Sequence, residues 1–224
     1  MRVPAFDMFL LPESPFNLPM PRPVNARIPL SLLESIRRID TPPDQADTEY
    51  VPELRNKRLG LSETVYTQIR RYNDAMKRGQ KIPFAEAEGL GTLIGRRPDS
   101  SELFKSAGSI LANDIYNSMA PTARQSVRML PKFLSRPMAL KHLAAMSEKY
   151  FGGTLEKNGS FISLKVPESV TVNGSPESAG CIFYEEAFRE LIALLTGTSG
   201  QVDHIQCAQK GGEVCEWRTE WGTH

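Results

Sequence analysis

AGCIFYEEAFRELIALLTG (residues 179–197) and, after a short polar link, HIQCAQKGGEVCEW (204–217) carry all three cysteines of the chain and one of its three histidines. In the first stretch Phe183, Phe188, Leu191, Ile192 and Leu195 recur at helical spacing, and Gly197 supplies a C-terminal stop. The second changes period. QVDHIQC and EVCEWRTEW predict two strands joined at Lys210-Gly211-Gly212, with Cys215, Trp217, Thr219 and Trp221 on one face of the last strand. A helix followed by a hairpin therefore brings Cys181, His204, Cys207 and Cys215 into play together, at the spacing C-x22-H-x2-C-x7-C.

Zinc takes four soft or borderline donors in a tetrahedron. Here His204 and Cys207 can come from one strand end, Cys215 from across a glycine turn, and Cys181 from a helix N-terminus, whose dipole favours the thiolate. Four protein ligands leave no open coordination position, so such a site fastens a fold and does not activate water. His224, at the C-terminal end of the sequence, is set aside as the more frayed donor. Three buried, reduced cysteines and a surface histidine would give the same spacing, and spacing alone leaves both accounts open.

Working outward, the 224 residues suffice for one sizeable core with an appendage. The 27 basic and 26 acidic residues give a net charge of +1, which as a total offers no footprint for nucleic acid or an anionic membrane. No apolar run reaches the roughly 18 residues of a membrane span, and Asp7 and Pro12 interrupt the N-terminal apolar stretch, unlike a signal peptide. A cytoplasmic protein with reduced thiols is expected.

Ten of the 17 prolines fall at or before Pro52. Residues 1–60 are accordingly expected to form a Pro-rich arm without helix or central strand, packed along its own domain or a second subunit through its many apolar residues. Residues 61–95 follow as a helical segment. Ser62 is the predicted N-cap and Gly79 the stop, and Val65, Ile69, Tyr72 and Met76 form a stripe that needs a cover. Residues 96–224 are read as the main domain. Asp99 with Glu102 predicts a capping-box-like helix start, with Phe104, Ala107, Leu111 and Ile115 facing inward. Helices are predicted over 122–130 and 137–151, the second opened by Pro137, stopped at Gly152-Gly153 and containing His142. TLEKNGSFISLKV alternates about Asn158-Gly159, a hairpin signature. The fold class is α+β, helices packed on a small antiparallel sheet.

The two opening stretches together resemble the 4-vinyl reductase domain family, in which a small residue and a cysteine enter a helix and a cysteine hairpin with a glycine turn follows. The resemblance covers about residues 95 to 222. In the phenol-responsive sensor domains of that family zinc is held by Cys, Glu, Cys and Cys, which implies a structural zinc on Cys181, Cys207 and Cys215 with His204 in the glutamate's place. The fold so implied is similar to that of TRAPP tethering subunits and of haem-based nitric oxide sensors. A homodimer built by the 61–95 segment is also implied, with an apolar small molecule held between helices and sheet. On that idea the candidate pocket residues are Phe104, Ile110, Leu130, Phe133, Leu134, Met138, Met146, Tyr150, Phe161 and Phe183. Departures from the family are specific: no tryptophan precedes Trp217, the only upstream histidine is His142, and the haem relatives' Y-x-S-x-R motif is absent.

No G-x-S-x-G elbow, H-E-x-x-H pair, Rossmann fingerprint or P-loop occurs, and the glutamates of YEEAFRE have the spacing of a solvated helix face. A binding module is expected rather than an enzyme: a sensor or adaptor that signals to a protein partner. With no ATPase or DNA-binding segment after the domain, the signal is expected to leave by protein contact. The alternatives are a TRAPP-like scaffold without ligand, or an accessory factor in tetrapyrrole metabolism.

Overall fold

The computed structural model describes residues 22–41, 59–129, 131–174 and 179–221. Among these, seven helices and two small antiparallel sheets form an α+β structure. The helices are α1 (Arg27–Asp40), α2 (Glu63–Lys77), α3 (Phe84–Gly95), α4 (Ser100–Asn117), α5 (Pro121–Met129), α6 (Lys132–Met146) and α7 (Cys181–Thr196). β1 (Val24–Asn25) pairs with β2 (Lys81–Ile82). The larger sheet has the order β3 (Thr154–Asn158), β4 (Phe161–Val166), β6 (Cys215–Glu220), β5 (Val202–Gln206), antiparallel throughout.

Helix α1 corrects the reading of the Pro-rich stretch. Pro29 falls inside its first turn, where backbone N–H groups have no intrahelical acceptor, so a ring in place of the donor costs little there. Leu32 and Ile36 on α1 are fully buried, in one apolar cluster with Ile69 of α2, Ile94 of α3, Phe104 of α4 and Trp217 of β6. Described residues from all three segments expected in the sequence thus share one core. The stripe on α2 is likewise covered from within the chain: Val65, Ile69 and Tyr72 are buried and α2 packs on α1. Residues 1–21 and 42–58 of the expected arm lie outside the described residues.

At the N-terminus of α2 the Ser62 hydroxyl accepts the Val65 N–H, as expected of an N-cap. Asp99 does not cap α4. Its carboxylate is taken by Arg97, whose guanidinium also grips Asp40 at the end of α1 with two bonds of 2.8 and 2.9 Å. Pro137, expected to open a helix, lies inside α6, which starts at Lys132 and passes through a π turn (Ser147–Phe151) to the left-handed Gly152. The proline deletes one backbone donor, and the neighbouring turns are long enough to hold the helix without it. In the hairpin Asn158 pairs with Phe161, so the turn is Gly159-Ser160, one residue beyond the predicted dipeptide.

Burial by itself pushes the Asp40 carboxyl up, but hydrogen bonds from Arg97 and from the Gly60 N–H outweigh it and hold the carboxyl below the usual range. A depressed folded-state pKa adds stability that is fully present above the unfolded value of about 3.8 and is lost as pH falls through the folded value. Arg97→Ala takes two charge-assisted bonds from the buried Asp40 carboxylate, an expected loss of about 3 kcal/mol near neutral pH. Without the Arg97 bonds Asp40 ionises less readily, so the loss should shrink as pH falls below about 4. Urea unfolding of both proteins at the two pH values measures this, and an equal loss at both would rule out the ion pair as its source.

The centre of the molecule is the packing of α4 on α7. Gly108 permits it: a Cβ there would lie 2.5 Å from the Phe183 carbonyl oxygen and 2.9 Å from Glu186 Cβ. Gly108→Ala should therefore destabilise by roughly 1–3 kcal/mol through overpacking, although alanine is the better helix former. Thermal denaturation decides the sign.

Candidate metal centre

Helix α7 and strands β5 and β6 meet at one corner of the core. Cys181 is the first residue of α7, and the helix can start there because Gly180 lies against the Thr171 carbonyl with no room for a side chain. The Thr171 hydroxyl donates to the Gly180 carbonyl at 2.7 Å and pins this entry. Cys215 is the first residue of β6, opposite Val166 of β4.

The placement of His204 and Cys207 depends on an irregularity. In a regular strand, residues three apart point to opposite faces. Here His204 faces Trp217 while Gln206 faces Glu216, so Ile205 is an extra residue on β5. The bulge resets the alternation and turns Cys207 to the side occupied by His204, Trp217 and Cys215. Beyond it the Cys207 carbonyl accepts N–H bonds from Lys210 and Gly212, closing a tight turn through left-handed Gly211.

As a result Cys181, His204, Cys207 and Cys215 gather, one potential ligand atom from each lying within 4.8 Å of the others. The cysteines are buried and the histidine is half-buried. Cys181 Sγ and Cys207 Sγ are 3.6 Å apart, far beyond the roughly 2.05 Å of a disulfide. The Ala208 N–H points at Cys215 Sγ over 3.4 Å. His204 stacks on Trp217 with ring centroids 5.3 Å apart and planes at 15°, and Trp217 stacks in turn on Tyr184 of α7.

The electrostatics call for a cation. Hydrogen bonding from the Cys181 thiol, then the nearby His204 ring and the Ala208 N–H, outweighs burial and holds the Cys215 thiol down to about 4. The same thiolate, with burial, pushes Cys181 up. Without compensating positive charge, the cluster thus ionises at one sulfur at the expense of another. Buried His204 Nε2 has no hydrogen-bond partner, a lone pair or proton left unanswered. Three convergent thiols and an orphaned imidazole nitrogen fit a metal ion, and these four residues could hold one.

All four residues expected from sequence are thereby brought together. The supporting parts were not foreseen: the bulge at Ile205, the Trp217 stack and the Thr171 clasp. The only sequence signal for them is that an H-x2-C pair on one strand needs an extra residue to share a face.

The ten candidate pocket residues divide between core and surface. Phe104 and Phe183 are fully buried, Met146 and Tyr150 buried, and Ile110 and Met138 half-buried. Phe133, Leu134 and Phe161 are exposed, and Leu130 lies outside the described residues. Because α6 starts at Lys132, Phe133 and Leu134 fall in its first turn, at a corner rather than over the sheet. Phe161 borders a surface groove of about 370 Å³, whose other walls, among them Gln201, Asp203, Arg218 and Glu220, are largely polar. His142 is half-buried on α6. Among the described residues no helix is long and apolar enough to cross a membrane. No protein-family model and no curated protein matches the sequence.

Proposed function

We propose that the chain is a binding module of the 4-vinyl reductase type, fastened by one structural zinc ion, which takes an apolar small molecule and signals through protein contacts as a cytoplasmic homodimer. The observation that carries this reading is the convergence of three thiols and one imidazole at the junction of α7 with β5 and β6. That donor set suits zinc, and the 3.6 Å between two of its sulfurs is close to the ~3.8 Å edge expected for a tetrahedron with Zn–S bonds near 2.3 Å. With all four positions filled by protein the ion has no place for water or substrate, so its role is to clamp the hairpin to the helix. A reducing compartment keeps the thiols available for it. No catalytic residue is assigned.

A specific observation favours a second reading, the scaffold without ligand. Phe104 and Phe183, which would have to yield space to a ligand between helices and sheet, are fully enclosed by the protein's own side chains. Native mass spectrometry of the purified chain separates the two. The first reading expects the mass of a dimer with one zinc per chain and an additional organic molecule released on denaturation. Zinc without an organic adduct supports the scaffold. A metal-free mass for folded protein removes the shared premise of both.

A further inference from the structure

The three gathered cysteines differ in how they are held. Cys215 is fully buried at the start of β6, opposite Val166, and the Ala208 N–H is aimed at its sulfur. Cys181 is 2% exposed, and the clasp of Thr171 on Gly180 fixes the backbone just before it. Cys207 is the least enclosed, at 6%, and stands where β5 gives way to a 3-10 turn (Ala208–Lys210). Gln209, Lys210 and Gly211 in that turn region are exposed. Of the three cysteines, Cys207 is thus the one that solvent approaches.

Its sulfur also has a neighbour of matching chemistry, since Cys181 Sγ lies 3.6 Å away. A disulfide needs about 2.05 Å, so the two sulfurs must close by about 1.5 Å. Cys207 can supply that movement, because it sits at the end of an edge strand and the start of a turn, not in a helix or an interior strand. A bond between Cys181 and Cys207 would remove two of the four donors. Cys215 and His204 would remain, too few to hold zinc against water.

We infer that Cys181 and Cys207 are a redox-sensitive pair, oxidised to a disulfide by hydrogen peroxide with release of the zinc ion. The inference rests on the zinc reading above. In a filled site each cysteine is a thiolate, the form that reacts. The Cys207 thiolate attacks one peroxide oxygen: an S–O bond forms, the O–O bond breaks, and hydroxide leaves and takes up a proton. The sulfur becomes a sulfenic acid, oxidised by two electrons, and the peroxide is reduced by two. The Cys181 thiolate then attacks the Cys207 sulfur, and the S–S bond forms as the second oxygen departs as hydroxide and is protonated. Two thiolates, one peroxide and two protons thus give one disulfide and two waters. In the oxidised form α7 stays tied to the end of β5, now covalently, while β6 keeps its ladder to β4 but loses its metal tie to α7.

Treatment of the zinc-loaded full chain with a small excess of hydrogen peroxide tests the inference. Released zinc is read with a chromogenic chelator, and disulfides are mapped by peptide mass spectrometry after alkylation. One zinc is expected to leave per disulfide formed, with the bond between Cys181 and Cys207 and with Cys215 recovered as the alkylated free thiol. Dithiothreitol and added zinc should restore the starting mass and metal content. Cys207→His keeps four zinc donors and should release the ion at least about tenfold more slowly, because the thiolate nearest solvent is gone. Cys215→His also keeps four donors, and should release zinc at close to the wild-type rate with the same disulfide. The inference alone is overturned if the loaded chain keeps its zinc under peroxide, if the disulfide includes Cys215, if sulfinic acid forms without a disulfide, or if Cys207→His releases zinc as fast as the wild type. A chain that carries no zinc before peroxide is added fails the zinc reading, and the inference falls with it.

Discussion

Cys207→Ser with Cys215→Ser is expected to abolish metal binding and to unfold the corner formed by the α7 N-terminus, β5 and β6. Two serine hydroxyls replace two of the three soft donors, and a remaining thiol and imidazole do not hold zinc against water. The magnitude follows from linkage. Apparent binding free energies of structural zinc in small domains run to roughly 10–16 kcal/mol, comparable with the whole stability of an ordinary domain. Zinc content measured by inductively coupled plasma mass spectrometry should fall from one per chain to none. Hydrogen exchange should lose its protection across residues 202–220, while α1 and α2, remote from the cluster in the sequence, should keep theirs longer. His204→Cys provides the control, since a fourth thiolate is also a zinc ligand, and this variant should retain one ion. A folded double-serine variant with an unchanged melting temperature would sink the structural-zinc reading.

The second large effect is expected from Trp217→Ala. Trp217 is fully buried, lies opposite Leu164 on β4 and His204 on β5, and is sandwiched between the rings of His204 and Tyr184. Its removal opens a cavity at the one place where helix, sheet and ligand cluster touch. The expected cost is about 3–5 kcal/mol, which for a chain of this size lowers the melting temperature by about 10 °C. Metal affinity should fall as well, because His204 loses the ring that fixes its plane. Trp217→Phe should recover most of the stability, for the phenyl ring keeps the stack and removes an indole N–H that has no partner in the core. Chelator competition followed by thermal denaturation separates the two losses. Unaltered zinc affinity in Trp217→Ala would show that the stack does not position the histidine.

What could be read from the sequence was what depends on local chemistry. Ser62 caps its helix, Gly79 and Gly197 take the left-handed conformation that ends theirs, and the alternation of Cys215, Trp217 and Thr219 marks the buried face of β6. The cysteines and His204 could be named because residue type alone restricts what they do when buried together. What eluded the sequence depends on neighbours distant along the chain. Helix α1 forms with Pro29 in its first turn because Leu32 and Ile36 find a core to enter, and the prolines before it say nothing of that core. Asp99 fits a cap by position, yet Arg97 claims its carboxylate through a network that includes Asp40, nearly sixty residues away. Three of the candidate pocket residues, Phe133, Leu134 and Phe161, lie at the surface for a similar reason. Apolar residues on α6 were assigned to the interior by type, but the start of α6 at Lys132 sets which turn they occupy and sends Phe133 outward.

The strand order of the larger sheet sets a schedule for biosynthesis. β6 follows the other three strands along the chain yet occupies an interior position between β4 and β5. While the ribosome is still delivering residues before 215, the β3–β4 hairpin has a free hydrogen-bonding edge along β4, with Ile162, Leu164 and Val166 on it. β5 likewise has nothing to pair with, and Cys181 has at most two of its companions. A stalled or prematurely released chain would present this edge to other nascent chains, a template for aggregation. Arrival of β6 closes the sheet and completes the thiol cluster in one step, so an ion held by all four residues is captured only once β6 has paired.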